Sequence, residues 1–418
     1  MRYLTQTHKL SLKLLTAIAV LALGATVALA DSLAVIPTLA GDTDNEARAI
    51  TPDGQYIVGL SGSRGFLYPV GAGSATFVLS SDNAAAAIAN GVGYRTSGGG
   101  TELVIAGFAT SGHVAEWMTT DGGTTFAVKR RDTSYSFNQQ PFANSLGAQL
   151  GTDVYYVTSS KAAGGQPVYL NQLSGPWAPA ITYTSKGIPG GVVANMNGVS
   201  ASGRAVGYRQ LTAGGTRGNY MMQFLGAATT PSSVFFPGLD GSNAGEAHSV
   251  SADGNTIFGR SPTPSSSDLY GYKATFSGNT QLTIDQLPNF GDEAGSTSLQ
   301  VPYGASADGG FAVGMDYRGT EKAVFWDTRD ANPLNWTITD LTQLASDSGI
   351  LDGFTRLKRA YSIGLEDGTM SPVITGVGDW TDGVNSYSRA WVMVIPEPTA
   401  GALLGVGLLG LLALRRRK

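Results

Sequence analysis

The stretch Glu46-Ala47-Arg48-Ala49-Ile50-Thr51-Pro52-Asp53-Gly54-Gln55-Tyr56-Ile57-Val58-Gly59 returns as Glu246-Ala247-His248-Ser249-Val250-Ser251-Ala252-Asp253-Gly254-Asn255-Thr256-Ile257-Phe258-Gly259, in the same frame. A short strand leads into Asp-Gly, which supplies the positive φ of a tight hairpin turn. A β-branched strand returns from it. The glycine that ends this strand suits a bulge or a close approach of backbones. Further copies run over residues 197–207, turning at Ser202-Gly203, and 304–314, turning at Asp308-Gly309. Looser ones occupy 87–107, 144–158 and 361–376.

Working outward, each hairpin is followed by an aromatic strand, such as Gly65-Phe66-Leu67-Tyr68, Lys322-Ala323-Val324-Phe325-Trp326 or Arg389-Ala390-Trp391-Val392-Met393. A fourth strand closes six of the units, at 76–79, 125–129, 181–184, 233–236, 282–286 and 337–341. The last unit lacks one, and Leu33-Ala34-Val35-Ile36 is a strand with no unit before it. The expectation is an all-β body over residues 31–395: a seven-bladed β-propeller of roughly fifty-residue units, closed by the N-terminal strand. An open β-solenoid is the alternative. The unit resembles the HAF repeat of bacterial extracellular proteins, in which an A-x-x-I-x-x-D/N-G-x-x-V-G hairpin precedes a strand reading H-A-F-x-W. His113-Val114-Ala115-Glu116-Trp117 comes nearest to that strand, with Val114 and Glu116 departing from it.

The two ends carry their own signals. Residues 1–30 read as a secretory signal peptide. Arg2, Lys9 and Lys13 form the basic start, residues 14–27 the apolar stretch, and Ala28-Leu29-Ala30 the cleavage site, so the mature chain begins at Asp31. At the other end Pro396-Glu397-Pro398 precedes an apolar run, 399–414, and then Arg415-Arg416-Arg417-Lys418. As a helix, residues 400–414 would reach about 22 Å, short of a hydrocarbon core of about 30 Å. The basic cluster would stay on the cytoplasmic side. Residues 396–418 resemble the PEP-CTERM sorting signal. The resemblance implies recognition by an exosortase, an integral-membrane cysteine protease-like enzyme of Gram-negative-type hosts that make exopolysaccharide. It implies an exported protein, inserted in the inner membrane transiently through its C-terminal helix. Signal peptidase and exosortase are then the processing partners, the envelope surface or extracellular matrix the destination, and exopolysaccharide a candidate partner.

Composition narrows the chemistry. Glycine numbers 57, charged residues make up 14% and hydrophobic ones 42%, as suits many short strands joined by turns rather than a disordered chain. The net charge of −4 offers no basic excess for a nucleic acid. With no cysteine there are no disulfides, thiolate metal sites or cysteine nucleophiles. H-E-x-x-H, G-x-S-x-G and P-loop patterns are absent from the sequence, and no cofactor is expected. The G-x-G-x-x-G at 405–410 follows no βα unit. His113 and His248 fall at repeat positions and read as strand surface residues. Asp42, Asp44 and Glu46 have the one-three-five spacing of a calcium loop, though their place before a repeat hairpin suits turn chemistry. The runs Lys129-Arg130-Arg131 and Arg356-Leu357-Lys358-Arg359 read as solvated loops, or as surfaces for acidic polysaccharide. The expected function is that of a non-enzymatic surface or matrix protein. The alternative is a carbohydrate-active enzyme with converging carboxylates in the propeller channel.

Overall fold

The computed structural model describes residues 32–77, 87–97, 100–109, 114–119, 127–131, 154–159, 168–173, 194–210, 215–223, 232–291, 298–366 and 370–395. The expected signal peptide, the sorting tail with the apolar helix expected in it, His113 and the strand expected at 181–184 lie outside these residues. The described chain is nearly all strand, and it follows the repeat. After β1 (Ser32–Val35) comes a meander of β2 (Asn45–Ile50), β3 (Tyr56–Ser61), β4 (Arg64–Pro69) and β5 (Thr76–Phe77). The next is β6 (Ala87–Ser97), β7 (Gly100–Ala109), β8 (Val114–Thr119) and β9 (Ala127–Arg131). A two-stranded sheet follows, β10 (Val154–Ser159) with β11 (Val168–Leu173). Then come β12 (Ala194–Val199), β13 (Arg204–Gln210), β14 (Arg217–Gln223) and β15 (Ser232–Phe235). The meander of β16 (Glu246–Val250), β17 (Thr256–Thr263), β18 (Ser266–Ser277) and β19 (Thr280–Gln286) touches its successor through one parallel bridge, Leu269 to Leu299. That successor holds β20 (Leu299–Ala305), β21 (Phe311–Tyr317), β22 (Glu321–Asp327) and β23 (Thr337–Asp340). The last sheet is β24 (Phe354–Leu365), β25 (Pro372–Thr381) and β26 (Ser386–Val394), completed by β1. Ser32 pairs with Val394 and Val35 with Trp391, antiparallel, as expected of the unpartnered N-terminal strand.

The first strand of each meander packs on the first strand of the next, through β2, β6, β10, β12, β16, β20 and β24, and β24 packs on β2. The sheets thus stand face to face, and the core lies between them rather than at one centre. One core layer joins Ile57 and Phe66 to Val373 and Val392 of the last sheet; another joins Val58 and Leu67 to Val92, Ile105 and Trp117 of the second. Because both faces of each sheet are covered, strands such as Tyr56-Ile57-Val58 are apolar without alternation.

The turns repeat in atomic detail. Thr51 Oγ1 bonds the Asp53 carboxylate at 2.5 Å and accepts from Tyr56 N at 3.0 Å, while Gly54 takes φ +74°. Ser251 and Asp253, and Ser306 and Asp308, make the same hydroxyl–carboxylate pair at 2.6 and 2.5 Å. Neighbouring turns are stitched by backbone bonds, Ser202 N to Ala252 O and Ala252 N to Ala307 O. Leu365 N bonds Pro52 O at 2.7 Å, linking the last sheet to the first.

Two features depart from the expectation. A helix, α1 (Leu341–Asp347), follows the fourth strand of the sixth meander. Asp340 caps it, accepting from Thr342 N and Gln343 N, and Leu341, Leu344 and Ala345 are buried. The sequence signal was an aspartate before a Leu-x-x-Leu-Ala pattern. The two basic runs are also strand rather than loop. Lys129-Arg130-Arg131 ends β9, and residues 356–359 lie within β24, where Leu357 is fully buried. Arg356 and Lys358 pair with Asp379 at 2.5 and 2.8 Å, so they are not a free basic face.

Candidate functional site

One position of the repeat frame carries side chains of quite different charge, size and polarity from copy to copy. In Ala47-Arg48-Ala49-Ile50 the register slips between Ala47 and Ala49, leaving Arg48 as the extra residue of a β-bulge. Without the bulge, Ala47 and Ala49 would share a face. With it, Ala47 packs toward the last sheet and Ala49 toward the second, and Arg48 turns out of both. The same slip occurs at Ala89/Gly91, Met196/Gly198, Ala247/Ser249, Val301/Gly304 and Ala360/Ser362. The residues freed are Asn90, Asn197, His248, Tyr303 and Tyr361. With Arg48 they line one cavity of about 460 Å³, enclosed by the first strands of the meanders. Bulges re-aim side chains in this way beside functional sites.

Glu46, Asn195, Tyr208, Arg217, Glu246 and Arg359 complete the wall. A second space of about 70 Å³ shares Asn197, His248, Tyr303 and Tyr361 with it and is lined also by Ile50, Val92, Val250 and Ile363, and by Pro52, Ala252 and Ala307 of the turns. Arg48 Nη1 donates to Asn90 Oδ1 at 2.8 Å, and its buried Nε has only the Glu46 carboxylate, 3.4 Å away. Asn195 donates to Asn197, which donates to Ala247 O at 2.8 Å. Tyr303 lies edge-on to His248 and tilted against Tyr361, with ring centres 6.0 and 5.1 Å apart.

Glu246 is the most heavily bound group. It accepts from Arg217 and, through Oε2, from Arg260 at 2.6 and 3.1 Å. Burial alone would raise its carboxyl, but His248, Arg260 and Arg217 together hold it far below the usual carboxylate range. Burial, with the nearby arginines, pushes the His248 imidazole down, and the Glu246 carboxylate acts against that shift. His248 Nε2 is buried, 3.5 Å from Glu246 Oε2 and without a hydrogen-bond partner among the described residues. Reading His248 as a surface residue is therefore corrected: the bulge carries it into the cavity wall, where its side chain is 11% exposed. Arg217 lies 4.4 Å over the Tyr208 ring, and Arg359 bonds Glu321 and the Tyr361 hydroxyl.

The carboxylates with calcium-loop spacing do not converge. Asp42 accepts from Ser61 Oγ and Arg64 Nη2, both at 2.8 Å, and Asp44 accepts from Ser388 N at 2.8 Å. Glu46 faces Arg48 in the cavity. No group of three metal-ligating side chains occurs among the described residues. Chelator should leave the melting temperature unchanged; a fall would restore the calcium loop, since a native-state ligand stabilises by mass action.

β26 ends at Val394, and Ile395 N bonds Pro372 O at 2.9 Å, where the described residues end. Residues 394–418 match the PEP-CTERM protein-sorting motif. The PEP-CTERM motif implies an exported protein of the cell envelope, processed by an exosortase. Pro396, Glu397, Pro398 and Arg415 to Arg417 all fall inside the match. No curated protein sequence matches the chain. Among solved structures, the chain is similar to YCF48 bound to a D1 peptide, at 11% identity over 88% of this chain and 96% of that one, TM-score 0.47. It is also similar to a gluconolactonase of Xanthomonas campestris, at 13% identity over 89% and 92%, TM-score 0.41. Among the described residues no helix is long and apolar enough to cross a membrane.

Proposed function

We propose that the body is a seven-bladed β-propeller of HAF-type repeats, closed by β1, and that it works as a non-enzymatic surface or exopolysaccharide-matrix protein. The packing of β24 on β2 and the bond from Leu365 to Pro52 support the ring. The state of Glu246 carries the non-enzymatic reading. A glycosidase needs one carboxylic acid kept protonated near neutrality and a second carboxylate free to act. Here Glu246 is locked as an anion between two guanidiniums, and Glu46 faces Arg48. The test is incubation of the purified protein with a panel of polysaccharides, followed by assay of reducing ends. Retention without product is expected. Product release that disappears in Glu46→Gln or Glu246→Gln would overturn the reading.

On the same reading, signal peptidase cuts after Ala30, the run at 399–414 crosses the inner membrane transiently, and the exosortase removes it. Protein recovered from the envelope or medium should begin at Asp31 and lack Arg415 to Lys418. Intact-mass analysis that finds the basic tail on most of the exported protein would count against this sequence of events.

A further inference from the structure

We infer that the bulge-lined cavity binds a single acidic sugar residue, a hexuronate carrying one carboxylate. This rests on the non-enzymatic reading above and names the ligand class of that site.

Charge sets the first limit. Among the described residues the wall presents Arg48, Arg217 and Arg359 against Glu46 and Glu246, an excess of one positive charge. Behind it, Arg260 on Glu246 and Glu321 on Arg359 cancel each other. A cation is disfavoured, and a di- or triphosphate brings more charge than the wall offsets. Reachable polar groups set the second limit. The Arg217 and Arg359 side chains, 49% and 38% exposed on the wall, would be desolvated by an apolar ligand at a cost. A guanidinium fork suits a carboxylate, and asparagine supplies both donor and acceptor to hydroxyls. The tyrosine rings offer flat apolar area to the C–H face of a pyranose. Size sets the third limit. A space of about 460 Å³ lies within the range of small-molecule sites. The adjoining space, about 70 Å³, has room for a few waters only, so a polysaccharide does not thread through it.

The experiment is calorimetric titration of the full-length chain in detergent with D-glucuronate, D-glucose and inorganic phosphate, each to millimolar concentration. Glucuronate should bind one to one, with glucose and phosphate at least about tenfold weaker. In Arg48→Met the preference for glucuronate over glucose should vanish while the melting temperature holds. Should that variant fail to fold, Arg217→Met provides the same readout from a half-exposed position. Equal binding of glucuronate and glucose, equal binding of phosphate, or no binding at all overturns the site while leaving the non-enzymatic reading intact. Conversely, cleavage of an oligoglucuronate by a protein that binds glucuronate would sink the non-enzymatic reading and leave the site standing.

Discussion

Deleting residues 32–36 should lower the melting temperature by about 10 °C or more, a far larger effect than loss of a terminus usually brings. Leu33 and Ile36 are buried, Leu33 in the layer holding Trp391 and Ile36 in the layer holding Phe66 and Val392. Burying two such side chains contributes about 1.5–3 kcal/mol each. Ile36 N also bonds Ala390 O at 2.9 Å, and Asn45, itself buried, donates to Ile36 O and accepts from Ala390 N, both at 2.8 Å. Deletion removes the shorter bond from the Asn45 amide, which keeps one to Pro37 O at 3.3 Å, in addition to the ladder along β26. The loss is a large share of the roughly 5–15 kcal/mol that holds a typical native state. It also bares β26 as an open edge, so aggregation should rise with the fall in stability. A thermal melt that moves by less than about 3 °C would show that β1 is dispensable, and the closed ring would fall with it.

Gly59→Ala is expected to cost about 3 kcal/mol or more. A Cβ at Gly59 would overlap Glu46 O, the carbonyl beside the bulge, and would press on Ala47 Cα at 2.9 Å and the Phe66 ring. Gly107 meets Ile88 O, Gly207 meets Asn195 O, Gly314 meets Val301 O and Gly376 meets Arg359 O in the same way. Backbone atoms cannot rotate aside as a side chain can, so the strain exceeds the usual 1–3 kcal/mol of overpacking. Gly73→Ala is the control, because nothing lies within 4 Å of its added methyl. It should fall within about 0.5 kcal/mol of the parent. Chemical denaturation of both variants makes the comparison; similar midpoints would mean that the glycine is not what shapes the bulge.

The same glycine shows how far the sequence could be read. Its spacing from Asp-Gly gave the hairpin, and its suitability for a bulge or close approach was legible, as was the completing strand at the N-terminus. The channel wall was not. Arg48, Asn90, Asn197, His248, Tyr303 and Tyr361 differ in charge, size and polarity, so no motif search unites them. What they share is a place: one residue inside a frame of small and β-branched neighbours that the bulge expels from both packed faces. A position that ranges over charged, amide and aromatic side chains at one fixed point of the repeat was the available signal. The charged run at 356–359 misled for the converse reason. Arg356 lies opposite Asp379 and pairs with it, Lys358 is the extra residue of a bulge and reaches the same carboxylate, and Arg359, back in the ladder opposite Val377, reaches the cavity.

The placing of β26 between β1 and β25 also decides how the body meets mechanical load. Any tension carried by the chain from residue 396 onward enters through the end of β26. That strand is gripped on both sides, from Ser32 to Val35 along one edge and from Val373 to Thr381 along the other. Pulled along its own axis, it loads both rows of backbone bonds in shear, so they must yield together rather than unzip one at a time. The N-terminal strand therefore acts as a second jaw on the segment from which the sorting tail departs.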